Sequence, residues 1–203
     1  MVANSFEYFV FSKPITLMSK LFAATLGALT LASLLATPPP SNALEKGLVK
    51  SIDVDNETLL DVKAIKNGKT YDVKIIANNS CTDDTDPCLH SVKAFINGQK
   101  LPVKAVMEEP NDKISIKAIS PGGELIDVKA LDSDGDLIDV KALQVKGSFM
   151  NPVKAIKENG EILAIKGIHQ SGEVFDIKAI SMNNGTKRIN GFEYISDIKA
   201  VEN

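Results

Sequence analysis

The chain has 203 residues, enough for one ordinary domain with a buried core. Apolar residues make up 44% and charged residues 24%, and both fractions are usual for a globular protein. The formal net charge of −3, together with only 5% aromatic residues and no tryptophan, argues against a protein that binds nucleic acid.

The first 43 residues are typical of a secretory signal peptide. Lys13 and Lys20 precede an uncharged apolar run over residues 21–36, and the segment ends in the small-residue site Ser41-Asn42-Ala43. The alternative, a membrane anchor, is disfavoured because the run is shorter than the ~20 residues that span a bilayer. Prolines also end the run directly.

We therefore expect residues 44–203 to form one β-repeat domain that is exported, whether secreted, periplasmic or on the cell surface. The mature chain is expected to have no membrane span. Met18 begins a typical short signal-peptide start, which would make residues 1–17 an over-extended gene start.

A short motif of the form Val/Ile-Lys-Ala-Ile/Leu recurs through residues 44–203, and we call its lysine the motif lysine. Successive motif lysines are 11 to 13 residues apart, except for two intervals of 19 and 21 residues that contain insertions. Apolar and polar residues alternate in each unit, and a β-branched residue always precedes the lysine, which predicts strands. The motif lysines are Lys50, Lys63, Lys74, Lys93, Lys104, Lys117, Lys129, Lys141, Lys154, Lys166, Lys178 and Lys199.

The spacings also predict how consecutive strands pair. If each motif lysine lies opposite the residue two before the next one, spacings of 11, 12 and 13 leave turns of two, three and four residues. The 11-residue spacings then leave Asn67-Gly68 and Asn97-Gly98, which favour type I′ hairpin turns. Every 12-residue spacing leaves a turn with glycine third, where a three-residue hairpin needs a left-handed residue. The 13-residue spacings predict four-residue turns at 54–57, 108–111 and 145–148.

The predicted fold is all-β, with about twelve antiparallel strands in an up-and-down meander. One face of each strand is continuously apolar and needs a cover, so we expect a closed barrel or a sandwich. A parallel β-solenoid is disfavoured because it would stack the motif lysines directly over one another. A membrane barrel is disfavoured because strands of about seven residues are shorter than the ~9–11 that cross a bilayer.

Few residues are candidates for chemistry. Cys81 and Cys88, in the first insertion, predict a disulfide in an exported chain, and no second cysteine pair or nearby histidine indicates zinc. The two histidines fit no catalytic or metal-binding motif, although His90 falls on the core face and His169 beside a turn. No cofactor is expected. Two acidic clusters are weak calcium candidates that we interpret as solvated turns: Asp83, Asp84 and Asp86, and Asp132, Asp134 and Asp136.

The sequence favours a non-enzymatic protein with a structural, adhesive or surface-interaction role, because repeats make extended surfaces rather than single sites. Contacts with an unknown surface or protein partner are expected in the cysteine loop and in the second insertion, at Arg188, Phe192 and Tyr194. The alternative is a small-molecule carrier whose barrel interior holds an apolar cavity of roughly several hundred Å³. An enzyme is disfavoured, since it would need titratable groups to converge in one cleft.

Overall fold

The computed structural model describes residues 45–81, 87–107, 114–181, 187–189 and 192–202. These residues belong to one compact unit, residues 39–203. The predicted signal peptide lies outside the described residues, as do Asp83, Asp84 and Asp86. Within the described ranges, no helix is long and apolar enough to cross a membrane.

Thirteen β-strands form in the described part of the chain. Each carries one motif lysine, except the short strand β12. The strands are β1 (Glu45–Asp53), β2 (Thr58–Lys66), β3 (Lys69–Ile76), β4 (Leu89–Ile96), β5 (Gln99–Met107), β6 (Ile114–Ile119), β7 (Leu125–Leu131), β8 (Leu137–Ala142), β9 (Met150–Ile156), β10 (Ile162–Ile168), β11 (Val174–Ser181), β12 (Lys187–Ile189) and β13 (Phe192–Val201).

All strand pairings are antiparallel, but the sheet is branched rather than a simple meander. The twelve repeat strands fall into four groups of three, which we call triads, and within a triad each strand pairs with both others. In every triad a motif lysine lies opposite the residue two before the motif lysine of the next strand, as Lys63 lies opposite Asp72. The triads are β1–β2–β3, β4–β5–β13, β6–β7–β8 and β9–β10–β11.

Each triad also pairs once with each of the other three, and these pairings place two motif lysines opposite each other. Four groups joined by six such pairings have the connectivity of a tetrahedron, with triads at the corners and lysine pairs on the edges. Every repeat strand therefore has neighbours on both sides, and the sheet closes on itself. The lysine pairs are Lys50–Lys166, Lys63–Lys129, Lys74–Lys93, Lys104–Lys117, Lys141–Lys154 and Lys178–Lys199.

The predicted all-β antiparallel fold is confirmed, and so is most of its register. The asparagines of both Asn-Gly turns have positive φ, near 50°, and the third-position glycines have φ between 80° and 91°. The turn at 54–57 is also as predicted, with Asp53 opposite Thr58. The predicted register is wrong at Lys104 and Lys141, which lie opposite other motif lysines. At both places the chain leaves one triad for another, and closure of the shell sets the pairing there.

The interior of the shell is filled by the residues on either side of the motif lysines. The β-branched residues that precede the lysines converge on the centre and leave a void of only about 10 Å³. The residue after each motif lysine, usually alanine, is also buried. The residues around the central void are Val49, Val62, Val73, Val92, Val103, Ile116, Val128, Val140, Val153, Ile165, Ile177 and Ile198.

Candidate functional site

The outer face of the first triad, β1–β2–β3, carries a balanced ring of charge. Lys50 bonds to Asp61, the ammonium of Lys63 lies 2.7 Å from Asp72, and that of Lys74 lies 3.0 Å from Glu45. The hydrogen bond from Lys50 is the main cause that holds the pKa of Asp61 below its usual range. Three ammonium groups thus meet three carboxylates, and the ring has a structural role.

The β4–β5–β13 triad lacks this balance. Lys104 bonds to Asp197, but Lys93 lies opposite Pro102, and Lys199 lies opposite a serine whose hydroxyl is 3.4 Å from the ammonium. Burial lowers the pKa of Lys93, and the positive charges of Lys104 and Lys199 lower it further. In this triad, Asp197 is therefore the one carboxylate at the three positions that face the lysines. We call Lys93, Lys104 and Lys199 the lysine cluster.

The β9–β10–β11 triad offers a comparison with the same number of charges. Lys166 bonds to Asp176, whereas Lys154 lies opposite an alanine and Lys178 opposite a proline. The ammonium of Lys178 is also 3.4 Å from Asp176. Neither insertion leads into a strand of this triad. Lys154 is therefore a matched control for Lys93.

Both insertions of the sequence end at the β4–β5–β13 triad. The first insertion leads into β4, whose first residues, Leu89 to Ser91, pair with β13. The second insertion leads through β12 into β13, where Glu193 and Tyr194 pair with the end of β5. Both segments that break the repeat therefore lead into strands of the triad that holds the lysine cluster.

Cys81 and Cys88 form the predicted disulfide. Cys81 is partly exposed and Cys88 is buried, and the carbonyl of Cys88 accepts the backbone N–H of Glu202. His90, on the core face as predicted, is only 1% exposed, and its Nε2 lies 3.4 Å from Sγ of Cys88. The same nitrogen lies 3.1 Å from Oε2 of Glu202. The backbone N–H of Asn78 donates to Nδ1 of His90, so the ring proton is assigned to Nε2.

The contact between His90 and the disulfide was missed from the sequence. Residues 88 and 90 are two apart on one extended segment, so their side chains lie on the same face, and this spacing could have predicted the contact. Donor atoms of Cys81, Cys88 and His90 all lie within 4.8 Å of one another, the one such group of three among the described residues. Because the two sulfurs are bonded to each other, they offer no thiolates to a metal ion in this state.

The other predicted site residues lie in turns and in the paired strands β12 and β13. Oδ1 of Asp132 accepts the backbone N–H groups of Asp134 and Asp136, at 3.0 and 2.8 Å, so this carboxylate stabilises its own turn. His169 contacts Ser171 within an exposed turn. The backbone of Arg188 lies in β12 and that of Phe192 and Tyr194 in β13, while their side chains lie outside the described part of the structure.

Comparison with known proteins identifies a family. No curated protein and no solved structure matches the chain. A family profile matches residues 47–201, a range that includes all the motif lysines and both insertions. The chain therefore belongs to the family of unknown function DUF7486.

Proposed function

We propose that this protein is a non-enzymatic, exported scaffold with a surface-interaction role, and that the β4–β5–β13 triad is its contact surface. The observation that carries this proposal is that both insertions lead into strands of the triad that holds the lysine cluster. Loops that break a regular scaffold are where binding residues are usually found, because the scaffold itself is fixed by packing.

The filled interior directs the proposal to the outer surface. A carrier needs an apolar cavity of roughly several hundred Å³ to bury a small molecule. The void at the centre of this shell is about 10 Å³, roughly the space of one water molecule. The twelve β-branched side chains occupy the space that a ligand would need, so we do not retain the carrier alternative.

The charge of the triad favours an acidic segment of a partner protein. Lys93 and Lys199 face a proline and a serine rather than carboxylates, which leaves local positive charge for a carboxylate of the partner. The chain as a whole has a net charge of −3, so it does not attract long polyanions from a distance. A short acidic peptide contacts only the positive part of the surface, so the local attraction outweighs the weak overall repulsion.

Export is part of the same proposal. Disulfides persist mainly in oxidising compartments, and the Cys81–Cys88 bond supports such a location. The signal-peptide pattern of the first 43 residues supports it independently.

A titration with a short poly-glutamate peptide, followed by amide NMR shifts of the purified protein, tests the contact surface. We expect the shifts to concentrate in β4, β5 and β13 and to weaken with salt. Replacing Lys93 by Gln should weaken binding about two- to fivefold, the range of an exposed ion pair. The matched control is Lys154→Gln, which removes the equivalent lysine from the β9–β10–β11 triad and should leave binding unchanged. Equal losses in both variants, or shifts spread over the whole shell, would refute the proposed surface.

A further inference from the structure

Three hairpins of the shell meet on a side that the proposed contact surface does not include. The hairpins β1–β2, β7–β8 and β9–β10 belong to the three triads other than β4–β5–β13, and their strands pair across triads as β1–β10, β2–β7 and β8–β9. At the end of β1, the buried carboxylate of Asp53 lies 2.9 Å from the ammonium of Lys157, in the turn between β9 and β10. The three hairpins are therefore neighbours.

Exposed apolar side chains concentrate in these hairpins. Of the seven large apolar residues that are exposed in the described part of the chain, four belong to them. Three of the four lie four residues before a motif lysine, on the outer face of the second strand of each hairpin, and each is opposite another apolar residue. The four residues are between 53% and 73% exposed, and we call them the apolar patch: Val54, Leu59, Leu137 and Ile162.

The fold does not require apolar residues at these positions. Four residues before the motif lysine, other strands of the sheet carry Lys46, Thr70 or Lys100. The hairpins β2–β3, β4–β5 and β6–β7 repeat the same arrangement on another side of the shell. There Leu125 is the one apolar residue at this position, and it packs against a small buried cluster. Exposed apolar residues that packing does not explain indicate a contact surface.

A groove of about 740 Å³ adjoins the apolar patch, between the β7–β8 and β9–β10 hairpins. Leu137 and Ile156 give its wall apolar surface, and its volume falls in the range of ~300–1,000 Å³ that is usual for ligand sites. Both lysines that line it, Lys141 and Lys157, are paired with carboxylates, at 3.2 and 2.9 Å. These lysines are therefore not available to an acidic ligand.

The turns around the groove and the patch are acidic. Two of their carboxylates, Asp136 and Glu158, line the groove itself. Unpaired carboxylates beside exposed apolar side chains complement a ligand that is both cationic and apolar, and they disfavour the acidic segment proposed for the lysine cluster. Five carboxylates of these turns form no ion pair with a lysine or arginine among the described residues: Asp55, Glu57, Asp134, Asp136 and Glu158.

We propose that the apolar patch and its groove bind a segment of a partner protein in which apolar side chains are interspersed with lysine or arginine. The apolar side chains of the segment pack against Leu137, Ile156 and Ile162, and its cations lie near the carboxylates of Asp136 and Glu158. This surface contains no residue of the β4–β5–β13 triad and takes a ligand of the opposite charge. It is therefore a second contact surface, independent of the lysine cluster.

The first experiment uses a short synthetic peptide in which leucine and lysine are interspersed with serine, and follows the amide NMR shifts of the purified protein. We expect the shifts to concentrate in the β1–β2, β7–β8 and β9–β10 hairpins. A peptide with serine in place of leucine should bind about tenfold more weakly, because burial of the leucine side chains is lost. Equal affinity of the two peptides would show that charge alone attracts them and would overturn the proposal, as would shifts concentrated in β4, β5 and β13.

The second experiment measures the affinity of the leucine–lysine peptide for variants of the apolar patch. Leu137→Thr and Ile162→Thr should each weaken binding about three- to tenfold through lost apolar contact. The fold should accept threonine, because Thr70 occupies the same repeat position. The matched control is Val174→Thr, which changes the exposed residue at that position of β11, outside the three hairpins, and should leave binding unchanged. Equal losses in the control and the patch variants would refute the surface.

Two further measurements test the role of charge and the identity of the occupant. Asp136→Asn combined with Glu158→Gln should weaken binding about two- to fivefold, the range of exposed ion pairs, whereas Lys93→Gln should leave it unchanged. Unchanged binding by the double variant would contradict the role of the carboxylates. Sedimentation of the protein without peptide should show a monomer. A dimer that Leu137→Thr dissociates would mean that a second copy covers the patch, and the proposed partner would be wrong.

Discussion

A paired exception to the alanine pattern offers a sharp test of the packing of the shell. The residue after the motif lysine is alanine in most repeats, but it is Ile75 in β3 and Gly167 in β10. Ile75 is fully buried, and a Cβ added to Gly167 would lie 2.0 Å from its Cδ1 and 3.2 Å from Cβ of Phe175. The extra volume of the isoleucine thus occupies the space that the glycine leaves.

The magnitudes follow from this geometry. Gly167→Ala should destabilise the protein by about 1 kcal/mol, because overpacking costs ~1–3 kcal/mol and loss of a strand glycine returns ~0.5–1 kcal/mol. Ile75→Ala alone should cost about 2–5 kcal/mol through lost burial and a cavity. With Ile75→Ala already present, Cδ1 is gone and Gly167→Ala should stabilise the protein by about 0.5–1 kcal/mol. The predicted coupling is therefore about 1.5–2 kcal/mol, with a change of sign.

Urea unfolding of the unchanged protein, the two single variants and the double variant measures this cycle. The slope of the free energy of unfolding against urea should be the same in all four, so that midpoints report stability. If Gly167→Ala has the same cost with and without Ile75, the two side chains do not share space. The packing described for this part of the shell would then be wrong.

Two further variants test a close backbone approach and a buried ion pair. Gly47→Ala should destabilise the protein by about 3 kcal/mol in urea unfolding, because Gly47 has φ +146° and an added Cβ would lie 2.4 Å from the carbonyl oxygen of Ile168. The control, Gly98→Ala in an open turn, should cost only about 1 kcal/mol. The hydrogen bond from Lys157 is the main cause that lowers the pKa of Asp53 to about 2. Its stabilising effect is therefore present above pH ~4 and is lost as the pH falls from ~4 to ~2. Asp53→Asn should reduce the dependence of the free energy of unfolding on pH between ~4 and ~2. An unchanged acid-unfolding curve would show that the pair does not contribute.

The local parts of the fold could be predicted from the sequence. Asn-Gly pairs and third-position glycines specify tight turns through their own backbone preferences, and the turn length then sets the register of each hairpin. Nine intervals between successive motif lysines are 11 to 13 residues long, and seven of them follow the predicted register. These are the hairpins that stay within one triad.

The crossings between triads could not be predicted, because their pairing depends on closure of the whole shell. A spacing of 13 residues occurs within a triad, from Lys50 to Lys63, and also between triads, from Lys104 to Lys117. The spacing alone therefore does not distinguish the two. The expectation that motif lysines avoid one another was also too strict. Lys63 lies opposite Lys129, but its ammonium also bonds to Asp72 of its own triad, so a carboxylate offsets the like charge.

Departures from the repeat indicate where function lies, once packing has explained those it can explain. Three residues before the motif lysine, where the chain most often has a buried apolar side chain, there are three buried polar residues, His90, Asn151 and Ser196. Oδ1 of Asn151 accepts the N–H of Val145 at 2.7 Å, so it holds the loop that crosses between triads. Nδ1 of His90 likewise accepts the N–H of Asn78 at 3.2 Å, so it holds the start of the first insertion, where the chain also crosses between triads. A leucine at position 90 would leave that N–H without this acceptor, so both polar side chains are explained by the crossings between triads before any function is assigned to them.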